Sequence, residues 1–181
     1  MSASEIIIVR SLTDSDMGLF SAHRKATTSK QRAIALTAVA ADELLHPSVV
    51  TAKGADFDCI CLFGRVTNRE SRIINKGGKN WRLGGRQIAG EEFAGLDSKD
   101  FALIRSVRHN DGTSPILLTF VGRRSHRLVQ AGLAVTFENQ LRQSVAIFQD
   151  DSAEFETLAE LFPSVPAKVA VQRSLQQAAF L

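Results

Sequence analysis

RIINKGGKNWRLGGRQI, Arg72 to Ile88, holds five basic residues, no acidic one, four glycines in two pairs, and the only tryptophan of the chain. Arg69–Asn75 and Lys79–Leu83 read as two strands, and Gly77-Gly78 between them supplies a hairpin-type turn. A ribbon this short, with the second glycine pair at its far end, places a concentrated positive charge on a narrow frame. The fold around it is therefore expected to be β-rich.

Working outward, the strand signals continue on both sides. EIIIVR (Glu5–Arg10) reads as a first strand, ended by Thr13-Asp14-Ser15-Asp16. Met17–Ser29 is mixed and polar and reads as a loop or arm. Gln31–Leu36 alternates and reads as a second strand, and Val39–His46 as a short helix stopped by Pro47. Phe57–Val66 is a strongly apolar strand. Asp100–His109 and Ile116–Gly122 are two more, joined through Asn110-Asp111-Gly112. Beyond about residue 125 the character changes. Phe137, Leu141, Val145 and Phe148 recur at helical spacing, and Asp151 with Glu154 resembles a capping box opening a helix that ends near Phe162-Pro163. Val171, Leu175 and Ala178 give a last amphipathic helix over Val165–Leu181. The expectation is a mainly β, α+β chain: a β-rich domain over 1–125 and a partly helical extension over 126–181. There is no internal repeat and no low-complexity tract.

Composition bounds the function. The chain has 181 residues, 44% of them hydrophobic and 23% charged, as in ordinary globular proteins. No apolar run approaches the roughly 20 residues that span a bilayer, and MSASEIIIVRS lacks the basic start of a signal peptide. Cys59 and Cys61 sit two apart on a strand, cannot easily bridge each other, and match no usual zinc spacing. They read as small apolar fillers in a reduced, cytoplasmic protein.

The net charge of +3 conceals an uneven distribution. Ser21–Arg32 carries four Lys or Arg and no acid, and Arg65–Arg86 carries seven with one acid, Glu70, so the two segments sum to +10. The remainder has 11 basic and 18 acidic residues, or −7. A polyanion-binding surface on an acidic body is the reading that follows. A two-stranded ribbon fits the major groove of DNA, where Arg and Lys read guanine and Asn80 is suited to adenine. Trp81 has two roles open to it, stacking against a base or sugar, or plugging the hairpin onto the core. SAHRKATTSKQR, Ser21 to Arg32, lies just before a strand and is rich in the Ser, Thr, His, Arg and Lys that contact phosphates and base edges.

Catalytic motifs are incomplete. His23-x-Lys25 opens the phospholipase-D-type nuclease pattern, but the position that needs Asp is Lys30. Glu70-Ser71-Arg72 and Asp97-Ser98-Lys99 are fragments of a nuclease carboxylate–lysine motif, and neither is whole. His109-Asn110 lacks the paired metal histidines, and the chain has no tyrosine for tyrosine-dependent strand cleavage. GGKNWRLGG does not lie between strand and helix and lacks the Gly-Lys-Ser/Thr ending of a phosphate loop. No catalytic residue, metal ligand or cofactor is assigned, and whether the chain is an enzyme stays open.

LTDSDMGLFSAHR…SKQRAI (Leu12–Ile34), followed by GGKNWRLGG, resembles the DNA-recognition effector domains of restriction endonucleases of the EcoRII N-terminal and BfiI C-terminal type. That resemblance covers roughly residues 5–125. It implies a seven-stranded open pseudobarrel with short helices, whose two arms clasp double-stranded DNA. Carried onto this chain, it implies an N-arm of Ser21, His23, Arg24, Lys25, Ser29, Lys30 and Arg32, and a C-arm of Arg72, Lys76, Lys79, Asn80, Trp81, Arg82 and Arg86. The family attaches a nuclease domain and no such motif is present here, so a separate nuclease subunit is the partner the resemblance leaves room for. Three rivals stand beside it: a small metal-dependent nuclease with acids among Asp56, Asp58, Glu70, Glu91 and Glu92; an RNA-binding module; and a protein-interaction module acting through its C-terminal helices.

Overall fold

The computed structural model describes residues 4–25, 30–44, 56–63, 66–73, 75–76, 80–84, 87–108, 116–140 and 145–162. These form nine strands: β1 (Ser4–Ser11), β2 (Ala33–Ala35), β3 (Asp56–Phe63), β4 (Val66–Ile73), β5 (Asn75–Lys76), β6 (Asn80–Gly84), β7 (Phe101–Arg108), β8 (Ile116–Val121) and β9 (Val145–Gln149). Three helices join them: α1 (Ala38–Leu44), α2 (Arg127–Gln140) and α3 (Ala153–Ala159). The α+β class is as the sequence implies.

The strands make a six-stranded sheet, ordered β4-β3-β8-β7-β1-β9, and a three-stranded sheet, ordered β2-β6-β5. The large sheet is antiparallel except where β3 runs parallel to β8. Among the described residues no sheet closes on itself as a barrel.

The run Ile6-Ile7-Ile8-Val9 explains the layering. A strand buried on one face alternates, whereas one covered on both reads as continuously apolar. On β1, Ile6 and Ile8 join one core and Ile7 and Val9 another. The first core is completed by Ile34 and Leu83 of the small sheet, Ala40 and Leu44 of α1, and the segment Leu12–Phe20. The second is completed by Leu133 of α2 and by Phe155 and Leu158 of α3. The small sheet thus covers one face and the helices the other. Arg105 rivets the helical side: its guanidinium donates twice to Glu5 Oε2, at 2.6 and 2.9 Å, and lies 5.7 and 5.9 Å from the ring centroids of Phe155 and Phe162.

Three expectations about elements need correction. Arg69–Ile73, read as most of the first strand of the glycine hairpin, belongs to β4 and pairs with β3 in the large sheet, so that only Asn75 and Lys76 pair with β6. Val145 and Phe148 lie on a strand, not on a helix: β9 pairs antiparallel with β1, with Ile7 opposite Phe148 and Arg10 opposite Val145. The helical residues start earlier, at Arg127. Likewise, the cap of α3 is Ser152, whose hydroxyl accepts from the Phe155 amide, and not Asp151. The Asn110–Gly112 turn and the Val165–Leu181 helix lie outside the described residues.

A candidate nucleic-acid interface

The N-terminal basic segment does not leave the body as a free polar arm. Asp16–Leu19 forms a buried 3-10 turn, and Met17, Leu19 and Phe20 enter the core. Phe20 is wholly buried against Phe93 and Phe120, with ring centroids 5.3 and 4.9 Å away. The arm expected from Met17 therefore begins only after Phe20, because these apolar side chains outweigh the polar ones around them.

One carboxylate ties the root together. Asp16 is fully buried, and its Oδ2 accepts from the Thr13 amide at 2.8 Å and the Thr13 hydroxyl at 2.7 Å. Arg10, buried at the end of β1, reaches it at 3.4 Å, and Gln31 donates to its Oδ1 at 3.2 Å. Arg10 also donates through Nε to the Ala35 carbonyl at 2.9 Å and through Nη1 to the Ser11 carbonyl. The entry to the basic segment, its exit and β2 are thereby pinned at one point. A buried charge persists only where such partners surround it.

Beyond Phe20, a second 3-10 turn, Ser21–His23, leads to Arg24 and Lys25. Ser21, Arg24, Lys25, Lys30 and Arg32 are exposed. Among the described residues, these four cations form no ion pair with an acidic side chain. His23 is different. It is half-buried, and its Nε2–H donates to the Phe93 carbonyl at 2.9 Å. That bond holds the segment against the 3-10 turn Glu91–Gly95 and leaves Nδ1 as the free ring nitrogen.

The hairpin segment enters beside it. β5 and β6 pair antiparallel with Asn75 opposite Trp81 and Lys76 opposite Asn80. β6 then pairs with β2: Ala33 faces Gly84, Ile34 faces Leu83, and Ala35 faces Arg82. The Leu36 amide extends the ladder to the Trp81 carbonyl at 3.0 Å. Past the hairpin, the Ser21 amide donates to the Ile88 carbonyl at 2.9 Å, and Gln87 Nε2 donates to the Gly18 carbonyl at 3.2 Å. Two basic segments about fifty residues apart in sequence thus share one three-stranded ribbon.

Gly84 makes that pairing possible. Its φ is +153°, and a Cβ there would sit 2.4 Å from Ala33 Cα and 2.5 Å from the Arg32 carbonyl. Only glycine lets β6 approach the exit of the arm this closely.

Trp81 answers the question raised by its position. It is half-buried and packs against the first core. It seats the ribbon on the body. Arg82, next to it, is also half-exposed. Arg72 lies on β4 opposite Phe57, in the large sheet, one strand before the ribbon. Lys76 and Asn80 form the last pair before the tip. Ser29, Lys79 and Arg86, with Gly77, Gly78 and Gly85, lie outside the described residues.

The register sets the spacing of charges. Arg32 lies one residue before Ala33, which faces Gly84, and the Lys76–Asn80 pair lies four residues before Gly84 on β6. At about 3.3 Å per residue, Arg32 and that pair are about 16 Å apart along the ribbon.

Of the acids considered for metal-dependent cleavage, Asp56 and Asp58 lie opposite Ile73 and Ser71, while Glu70 lies opposite Cys59. The register does not set these acids opposite one another. Glu91 and Glu92 are exposed on their 3-10 turn. Among the described residues no three His, Cys, Asp or Glu side chains are grouped to hold a metal ion. Among the same residues no helix is long and apolar enough to cross a membrane.

Among the described residues, one carboxyl group has a displaced pKa, and it lies at one end of the large sheet. Asp100 is buried, and the burial raises its pKa above the usual 3.8. Amide hydrogen bonds from Asp97 and Arg123 act in the opposite direction. Sequence reading missed this residue, because an Asp opening a strand looks like any other turn acid. No protein-family model matches the chain, and no curated protein matches it significantly.

Proposed function

We propose that the chain is a sequence-specific double-stranded DNA-binding module, with the two sheets acting as an open pseudobarrel and the two basic segments as its arms. Its setting would be the recognition part of a restriction-modification system, with any nuclease supplied as a separate subunit. The observation that carries this reading is the β2–β6 pairing, which places the exit of one basic segment beside the return strand of the other. The buried Arg10–Asp16 pair and the core phenylalanines then fix the root, so that little ordering is left to occur on binding. Exposed Arg24, Lys25, Lys30 and Arg32 suit phosphates and guanine edges, and the Lys76–Asn80 end of the ribbon suits the groove. His23 and Trp81 serve as positioning groups, since each is committed to the body of the protein.

Selection from a randomised duplex pool tests this at about 150 mM salt, where nonspecific contacts weaken. A short enriched motif is expected, lost in the triple variant Arg72→Ala/Lys79→Ala/Arg82→Ala. An unenriched pool, with weak binding shared by the variant or preferential competition by RNA, would overturn the reading.

A further inference from the structure

A third basic cluster lies outside both segments. Gly122–Arg127 reads GRRSHR, and no acidic residue follows until Glu138. Arg123, Arg124 and Arg127 are all exposed. Beside them the Asp97–Asp100 turn presents Lys99, also exposed.

Both turns are built on the buried Asp100. Its Oδ2 accepts from the Asp97 amide at 2.8 Å and its Oδ1 from the Arg123 amide at 3.2 Å. Gln130, buried on α2, reaches the Lys99 carbonyl at 3.5 Å. The pair of turns is also sewn to the root of the N-terminal segment. The Leu12 amide donates to the Asp100 carbonyl at 2.7 Å, and the Lys99 amide to the Leu12 carbonyl at 2.9 Å. Arg124 lies alongside: a Cβ added at Gly95 would meet its Cδ at 3.7 Å. Gly95 closes the 3-10 turn whose Phe93 carbonyl holds His23.

Lys99 has φ +78°, in the left-handed region that glycine adopts freely and lysine rarely does. Strain of this kind persists where the surroundings enforce it, and it concentrates at functional positions. A glycine would fit the turn without strain but would present no charge. The acids nearby are Asp100, whose buried carboxyl feels the Arg123 charge, Asp97, whose Oδ1 accepts from the Ser98 amide, and Glu91 and Glu92 of the neighbouring turn. Among the described residues none of them forms an ion pair with these four cations.

The geometry points to Lys99, Arg123, Arg124 and Arg127 as a third contact surface, which grips the phosphodiester backbone of the same duplex beyond the bases that the two arms read. This rests on the DNA-binding reading above. Arg and Lys on short turns donate to phosphate oxygens without reading sequence. The cluster is continuous with the N-terminal root, so a duplex held by the arms has its flank within reach of it.

The test uses the full chain and duplexes bearing the selected motif with short or long flanks. On long flanks the variant Arg123→Gln/Arg124→Gln/Arg127→Gln is expected to lower the slope of log affinity against log salt by about 2–3. Its preferred motif and its affinity for short-flank duplexes should stay unchanged. Lys99→Gly is expected to lower that slope by about 1 while unfolding at the same or higher denaturant concentration. A purely structural lysine would give the stability change and leave the slope intact. Wild-type slopes in both variants on long flanks, or an altered motif in either, would overturn this inference alone. A wild-type chain that binds no duplex would overturn it together with the reading beneath it.

Discussion

Asp16 shows how much one residue at the root of a basic segment can carry. It is fully buried and binds Thr13, Arg10 and Gln31 at once. Removing it leaves the Arg10 guanidinium buried and uncompensated, so Asp16→Ala is expected to cost about 3–5 kcal/mol of folding stability. The double variant Arg10→Met/Asp16→Leu removes both charges and should recover most of that loss. Urea unfolding of the three proteins checks this; a double variant no more stable than the single one would show that the pair is not the unit. Asp100 makes a prediction of the other sign. Burial lifts its pKa above 3.8, so the folded chain holds the proton more tightly than the unfolded chain does. Its contribution is fully present below the ordinary carboxylate pKa and is lost as pH rises through the raised value. The stability of the wild type relative to Asp100→Asn should therefore fall as pH rises from about 4 towards neutrality. Urea midpoints at several pH values measure it, and a difference that grows with pH would contradict the assignment.

At the scale of elements, the β2–β6 pairing depends on Gly84. An alanine there meets Ala33 and the Arg32 carbonyl and must also adopt φ +153°. Gly84→Ala is expected to cost roughly 1–3 kcal/mol and to raise hydrogen exchange at the Leu36 amide, which bonds to Trp81 at the far end of the ladder. Unchanged exchange at Leu36 would mean that the ribbon tolerates the side chain. This pairing also separates what sequence could reveal from what it could not. The return strand Asn80–Leu83 was legible because it lies beside a local turn signal, but its partner was read as Arg69–Asn75, of which Arg69–Ile73 pairs with β3 instead. β1 was legible because its four consecutive apolar residues suit a strand. That β2 would lie against β6 was not legible, since the two are joined through contacts roughly fifty residues apart. Phe20 was read into a polar arm because the residues that follow it are polar, although its burial against Phe93 and Phe120 decides where the arm starts. Val145 and Phe148, three residues apart, satisfy helical spacing, yet β9 is an edge strand whose pairing with β1 overrides that local pattern. Trp81 kept two readings open because amphipathic aromatics suit both an interface and a core margin.

The large sheet shapes the behaviour of the whole molecule, because β1, β7 and β8 carry apolar side chains on both faces. Ile7, Val9, Phe101, Leu103 and Val121 rest against α2 and α3, while Ile8, Ile104 and Phe120 rest against the small sheet and the basic segments' roots. The two faces share strands, so neither can be lost without exposing the other's support. A chain cut after residue 125 would uncover those five side chains. At about 1.5–3 kcal/mol for each large buried side chain, the loss comes to roughly 8–15 kcal/mol, as large as the whole stability of a typical domain. The truncated chain is therefore expected to lose cooperative unfolding and native near-ultraviolet dichroism. In the full chain the single tryptophan, Trp81, reports the face beneath the ribbon, and far-ultraviolet dichroism reports chiefly the helices, of which α2 and α3 lie on the opposite face. The two signals should unfold at the same urea concentration, as a two-state transition requires. If tryptophan fluorescence changed first, with helical dichroism persisting, the ribbon would be opening as a separate unit, and the small sheet would owe its position to the arms rather than to the core.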